Sequence, residues 1–139
     1  MDGIALRHDC DGVDWEALKR DLAGDDFDNG RTPDELERSF RASARVVFAW
    51  AGGRVVGKGR ALSDGVCNAC VVDVWTHSAW RRRGIGRAML DALVAPLDGQ
   101  HVALFTYDAP GFYAACGFAP RGQCFERVVG RWLGRFDPR

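Results

Sequence analysis

The fold is decided by the stretch Trp80-Arg81-Arg82-Arg83-Gly84-Ile85-Gly86-Arg87. It follows an apolar run at 69–75 that is typical of a buried strand, and it opens a helical pattern with one apolar face. The first turn of a helix has unpaired backbone N–H groups and a partial positive charge. Two glycines give a ligand access to those groups, and the arginines add charge. The stretch therefore predicts a pyrophosphate cradle, with an ordinary helix start and solvated arginines as the alternative.

Length and composition indicate a single domain over residues 1–139, with 47% hydrophobic and 27% charged residues. Because the formal net charge is zero, no overall field attracts nucleic acid or an anionic membrane. No apolar run approaches the roughly 20 residues that a membrane span requires. The first residues lack a signal-peptide core, and five cysteines is an odd number, so we expect a reduced, cytoplasmic protein. Cys67 and Cys70 lack a second ligand pair, so we expect no metal.

The order of elements predicts an α/β protein with a mixed sheet. Asp14 can cap a first helix, and Thr32-Pro33-Asp34-Glu35 has the pattern of a capping box that opens a second. Gly52-Gly53 is a hairpin turn between two strands, and Gly117 ends a short helix. The predicted strands are 3–8, 45–51, 54–62, 66–76 and 101–107, followed by a final pair that starts at Phe118 and ends with 127–132.

Two motifs carry a family resemblance. Residues 81–86, Arg-Arg-Arg-Gly-Ile-Gly, fit the pattern Gln/Arg-x-x-Gly-x-Gly/Ala, and residues 112–118, Phe-Tyr-Ala-Ala-Cys-Gly-Phe, fit Phe-Tyr-x-x-x-Gly-Phe. Together, after a three-strand meander, they make the chain resemble the GCN5-related N-acetyltransferases, the GNAT family. The resemblance implies a mixed, mostly antiparallel sheet flanked by helices, with a splayed central parallel strand pair.

The resemblance also implies a reaction and a cofactor. Acetyl-CoA is the expected co-substrate, and its acetyl group moves to a primary amine of a small molecule by direct attack in a ternary complex. The end of the central strand is expected to pair with the pantetheine arm, and the cradle with the pyrophosphate. The residues expected to bind acetyl-CoA are Val74, Trp75, Thr76, Arg81, Arg82, Arg83, Gly84, Ile85, Gly86 and Arg87.

Two residues are candidates for catalysis. Tyr113 matches the family's tyrosine near the sulfur, and a phenol with a pKa of about 10 can donate a proton at neutral pH. Its alternative role is that of a packed aromatic ring. Many relatives have a glutamate on the central strand at positions matching Cys70 or Val72, which this sequence lacks. Asp73 is the carboxylate on this strand, and strict alternation places it on the face of Trp75. It binds a cationic acceptor, or accepts the acceptor's proton through water, or is a buried structural carboxylate.

The acceptor is expected to lie beneath an acidic loop between the first two helices. In related folds this loop covers the acceptor site, and here it contains Asp25, Asp26 and Asp28. Carboxylates there would attract a cationic amine such as a polyamine, an aminoglycoside-like molecule or an arylalkylamine. The alternative is a solvated acidic loop.

Other readings of the chain remain open to test. A non-catalytic acyl-CoA-binding module would keep the cradle without the chemistry. A nucleic-acid-binding module is disfavoured by zero net charge and by the lack of a basic stripe outside the cradle. A homodimer through a sheet edge or the C-terminal strands is a further expectation.

Overall fold

The computed structural model describes residues 3–137, which form one sheet with helices on both faces. The capping signals act as the sequence predicts: Asp14 accepts a hydrogen bond from the N–H of Ala17, and Thr32 and Glu35 form a reciprocal capping box. The elements are β1 (Ile4–Arg7), α1 (Trp15–Gly24), α2 (Pro33–Arg41), β2 (Arg45–Ala51), β3 (Arg54–Ser63), β4 (Asn68–Thr76), a 3-10 turn (Ser78–Trp80), α3 (Ile85–Val94), a second 3-10 turn (Ala95–Leu97), β5 (His101–Ala103) and α4 (Pro110–Ala115).

The sheet has the order β1-β2-β3-β4-β5, with antiparallel neighbours except for the parallel pair β4–β5. This confirms the mixed, mostly antiparallel sheet. Pairing of β4 with β5 stops at Cys70 and Ala103, although β4 continues to Thr76. Within residues 3–137, the carboxyl half of β4 therefore has a strand partner only on its β3 side.

Alternating side chains on the sheet build two cores. On one face, Val47 and Ala49 pack with Met89 and Leu93 of α3. On the other face, Phe48 packs with α1 and α2, and its ring centroid lies 5.2 Å from that of Phe40. Because each face is covered by helices, β2 is buried on both sides, which explains its continuous apolar sequence. β4 is thus packed on both faces of the sheet, while its carboxyl half has no strand partner on the β5 side.

The C-terminal part of the chain differs from the sequence prediction. β5 ends at Ala103 rather than at residue 107, and the pair of strands predicted from Phe118 to Trp132 is absent from the described chain. Instead, residues 119–131 run as exposed coil and lead into a tight turn closed by a bridge between Trp132 and Phe136. Glycines with positive φ at 122, 130 and 134 interrupt the extended backbone that a strand pair requires.

Candidate functional site

A cleft of about 630 Å³ opens where β4 separates from β5. Its floor is the segment 71–74 of β4. One wall is the loop 26–30 between α1 and α2, and the other is the segment 105–109 after β5 together with Tyr113 of α4. The cleft thus collects the predicted tyrosine, the strand carboxylate and part of the acidic loop in one place.

A β-bulge shapes the cleft floor. Asp73 has φ +63°, and the β3–β4 register shifts between Lys58, which pairs with Trp75, and Arg60, which pairs with Val72. The extra residue breaks strict alternation, so Val71 and Val74 both pack against the α3-side core although they are three positions apart. Asp73 stays on the α2 side with Trp75, as expected.

The carboxylate of Asp73 is held by three cations. Arg31 Nη2 lies 2.8 Å from one oxygen, Arg60 Nε lies 2.5 Å from the other, and Lys58 Nζ lies 3.6 Å away. Burial alone raises the pKa of Asp73, but the three cations outweigh burial and hold the pKa well below its usual range. A carboxylate that holds its negative charge so strongly is a weak proton acceptor, so the geometry favours the structural role over the basic one.

Lys58 lies beneath the bulge and is completely buried. Its Nζ donates to the carbonyl oxygen of Asp73 at 3.0 Å and lies about 5 Å from the ring centroids of Phe27 and Phe40. Burial lowers the pKa of Lys58 from 10.5 to about 8, with Asp73 opposing the shift and Arg31 and Arg60 adding to it. Sequence reasoning missed this cluster. The available signal was a lysine and an arginine alternating in an otherwise apolar strand.

Tyr113 reaches the cleft from α4, and Gly117, with φ +92°, follows the C-cap of this helix. Its ring stands edge-on to Phe112 and Phe118, with centroids 5.0 and 6.1 Å away. Burial raises the pKa of Tyr113, and the nearby Cys116 and Asp108 add to the shift. The hydroxyl is therefore protonated at neutral pH, as a proton donor must be.

The two glycines of the cradle have different structural tasks. Gly84 is the N-cap of α3, has φ +79° and supplies no side-chain acceptor to the first turn. A Cβ on Gly86 would lie 3.4 Å from the Phe112 ring and from Thr76 Oγ1. Gly84 thus provides the left-handed turn before α3. Gly86 instead allows α3 to pack closely against β4 and α4, and this packing role of Gly86 was not predicted from the sequence.

The arginines of the cradle also differ. Arg81 Nε donates to the carbonyl oxygen of Thr76 at 3.0 Å, so this arginine braces the loop onto β4. The guanidinium of Arg83 lies 4.8 Å from the Trp80 ring centroid, and Arg87 Nε lies 3.9 Å from a carboxylate oxygen of Asp91. Arg82 has φ +64° and is exposed. Two exposed guanidinium groups, Arg82 and Arg83, are thus available near the start of α3.

The acidic loop divides into two parts. Asp25 does not line the cleft; it accepts hydrogen bonds from Trp75 Nε1 and the Ser78 N–H, both at 3.0 Å. Asp26 and Asp28 do line the cleft, and Asp28 is paired with Lys19. The expected set of three acceptor-facing carboxylates therefore loses Asp25, because its carboxylate is used to fix the end of β4.

Three further cleft residues escaped sequence reasoning. Phe105 and Tyr107 form an aromatic wall, with ring centroids 4.9 Å apart. Asp108 lies beside them, and among residues 3–137 neither Asp108 nor Asp26 has an ion-pair partner. The available signal was their position directly after a strand that parallels β4, because ligands bind beyond the carboxyl ends of such strands.

Between residues 3 and 137, no three His, Cys, Asp or Glu side chains cluster in a way that could hold a metal ion. No helix in the same range is long and apolar enough to cross a membrane.

Comparisons with known proteins agree on a family. The family model of the Acetyltransferase (GNAT) domain matches residues 42–120. Serotonin N-acetyltransferase 2, chloroplastic, from Oryza sativa subsp. japonica is 36% identical over 138 residues, covering 90% of this chain and 68% of the rice protein. The solved structure of a GNAT-family protein from Xanthomonas campestris pv. campestris superposes with a TM-score of 0.78 at 28% identity, covering 93% and 95% of the two chains. A structure from Deinococcus radiodurans R1 gives 0.77 at 27% identity, covering 91% and 89%.

Proposed function

The chain belongs to the GNAT family of N-acetyltransferases, and we propose that it transfers an acetyl group from acetyl-CoA to the primary amine of a small arylalkylamine, by direct attack in a ternary complex. The observation that carries this proposal is the open edge of β4 beside the start of α3 and Tyr113. A thioester bound along that edge would place its sulfur where a phenol can reach it.

The site fits acetyl-CoA on two structural grounds. The carboxyl half of β4 has no β5 partner, so backbone groups of 74–76 can pair with an extended amide chain as an added strand would. The start of α3 has N–H groups that no side chain caps, beside the exposed Arg82 and Arg83. Arg81 contributes indirectly, since its side chain is occupied with Thr76 and holds the loop in place.

Acetyl-CoA supplies the activated acetyl group. The residues of this chain orient the acetyl-CoA and the amine, and one of them donates a proton. Tyr113 holds a proton at its hydroxyl for the departing sulfur, which the raised pKa of Tyr113 favours. Asp26 and Asp108 attract the ammonium form of the acceptor into the cleft. Because the cleft is open to solvent, the proton that the amine must lose can pass to water. Asp73 supports the floor and takes no part in proton transfer.

An aromatic lining selects among cationic amines. Phe27, Phe105, Tyr107 and Tyr113 all contribute to the cleft. A flat ring can stack against such a surface, while an aliphatic polyamine gains little from it. The rice relative is named for serotonin, an arylalkylamine, which agrees with this choice.

The test is calorimetric titration of acetyl-CoA, followed by an assay of free thiol release with tryptamine, phenylethylamine, spermidine and an aminoglycoside. We expect saturable binding, and turnover that is fastest with the aromatic amines. Absence of acetyl-CoA binding would refute the proposal. Binding without turnover on any amine would favour a non-catalytic acyl-CoA-binding module instead.

A paired substitution tests the acceptor carboxylates. Replacing Asp26 and Asp108 by Asn should raise the KM for tryptamine and leave the Kd of acetyl-CoA unchanged, because the proposal assigns both carboxylates to the amine and neither to the donor. Asp11→Asn, an exposed change outside the cleft, is the matched control. An unchanged KM, including at low salt, would remove the carboxylates from acceptor recognition.

A further inference from the structure

The turn at residues 131–136, here called the C-terminal clasp, packs against the loop that forms the acceptor-side wall. Trp132 Nε1 donates to the carbonyl oxygen of Asn29 at 2.7 Å. Arg135 donates to the carbonyl oxygen of Gly30 at 2.9 Å and forms a two-point ion pair with Glu35, at 2.6 and 2.8 Å. Hydrogen bonds and an ion pair thereby join the C-terminal turn to a loop about a hundred positions earlier in the sequence.

The wall residues that the clasp holds have unusual backbone conformations. Asn29 has φ +47° and Gly30 has φ +87°, and both line the cleft. A Cβ on Gly30 would lie 3.0 Å from the ring of Phe136, so the clasp fits directly over this glycine. Asparagine adopts the left-handed region more readily than most residues, and surrounding contacts help to keep it there. The clasp supplies such contacts from outside.

The next residue fixes the same loop from inside. Arg31 follows Gly30 and forms the ion pair with Asp73 on the cleft floor, while its Nε donates to Asn29 Oδ1 at 2.8 Å. The loop is therefore held between the clasp and the β4 bulge. A shift in the clasp would move the wall relative to the floor.

The anchor of the clasp, Glu35, also takes part in the start of α2. Glu35 accepts from the Thr32 N–H in the capping box of α2, while it pairs with Arg135. Hydrogen bonds from Arg135 and Thr32 lower the pKa of Glu35 from 4.5 to about 2, so the ion pair is fully charged at neutral pH. A charged, two-point contact to a helix start fixes position and orientation together.

We propose that the C-terminal clasp sets the position of the acceptor-side wall, and that Trp132 and Arg135 are positioning residues for the amine. This inference rests on the proposed function only for the identity of the ligand; the clasp itself rests on the contacts. Neither residue lines the cleft, so both act through Asn29 and Gly30.

Two variants remove the hydrogen bonds and the ion pair of the clasp without introducing a new charge. Trp132→Phe keeps an aromatic ring and removes the N–H donor, and Arg135→Gln removes the ion pair. Loss of a hydrogen bond worth about 1 kcal/mol predicts a rise of roughly 5-fold in the KM for tryptamine, with kcat and the Kd of acetyl-CoA unchanged. Arg131→Gln is the control, since this neighbouring arginine is exposed and makes no side-chain hydrogen bond in the described chain.

Amide hydrogen exchange gives a readout that does not depend on activity. Both variants should exchange faster at amides 28–31 than the wild type, while amides 74–76 and those of β2 keep their rates. Unchanged exchange at 28–31 would overturn the clasp, and so would a uniform rise across the chain, which would indicate a general loss of stability. Faster exchange with an unchanged KM would overturn the positioning role. A wild type inactive on every amine would instead refute the proposed function, and exchange would still decide the clasp.

Discussion

At the scale of single residues, Asp73 does two things at once. Its backbone makes the bulge, and its carboxylate forms ion pairs with Arg31, Lys58 and Arg60. Removing one partner from a buried set of charges costs about 3–5 kcal/mol. Asp73→Asn should therefore lower the free energy of unfolding by about that amount in urea titrations.

Asp11→Asn, an exposed change, is the control and should stay within about 0.5 kcal/mol of the wild type. A comparably small loss for Asp73→Asn would mean that the three cations are adequately solvated without the carboxylate.

The lowered pKa of Lys58 predicts an unusual pH dependence of the free energy of unfolding. Its pKa is lowered from 10.5 to about 8 in the folded protein. Between these two values the unfolded chain binds more protons than the folded chain, so the free energy of unfolding should rise with pH, by up to about 3 kcal/mol. Urea titrations between pH 7.5 and 10.5 measure this rise. Lys58→Met should remove it, and a flat wild-type profile would contradict the assignment.

Tyr113 is the residue on which the proton-donor role depends. Tyr113→Phe should lower kcat by about 100-fold, the effect typical of losing a general acid, and leave the Kd of acetyl-CoA nearly unchanged. Tyr107→Phe is the matched control, because that hydroxyl contacts Glu126 at the rim of the cleft. Equal turnover in both variants would remove Tyr113 from the mechanism.

At the scale of elements, the start of α3 depends on one backbone conformation. An alanine in the left-handed region costs about 1–2 kcal/mol, so Gly84→Ala should distort the first turn and raise the Kd of acetyl-CoA by about 10-fold. Gly65 has φ +77° with open space around it, but lies in a turn far along the chain from α3. Gly65→Ala should therefore cost similar stability without changing calorimetric affinity. Equal affinities in the two variants would show that the turn does not shape the cradle.

Elements were predictable where their signals are local. The capping box at Thr32, the glycine hairpin at 52–53 and the apolar stripe of α3 lie within a few residues, and all three form. The bulge at Asp73 was not predictable, because the cations that contact its carboxylate come from the neighbouring strand β3 and from a loop distant in sequence. The prediction of a C-terminal strand pair was wrong for a related reason. The apolar residues of this segment suggested a strand, whereas Trp132 forms its hydrogen bond with Asn29, which is far away in sequence.

At the scale of the whole molecule, Asp25 joins the loop between α1 and α2 to the end of β4, where the donor is proposed to bind. It receives hydrogen bonds from Trp75 and Ser78 and lies 3.6 Å from Arg81. Asp25→Asn weakens these contacts, so the Kd of acetyl-CoA should rise about 5-fold, as for the loss of one charged hydrogen bond. Asp26→Asn, the adjacent change, should affect only the KM of the amine. Calorimetry on both variants distinguishes them, and identical acetyl-CoA affinities would mean that Asp25 does not support the donor side.

The separation of β4 from β5 has a consequence for the tendency of the protein to aggregate in solution. Unpaired strand edges are templates on which other chains assemble, and this one lies inside the sheet, between β4 and the segment that follows the border strand β5. A bound pantetheine arm would close the edge. The donor-bound protein should then resist aggregation for longer than the free protein.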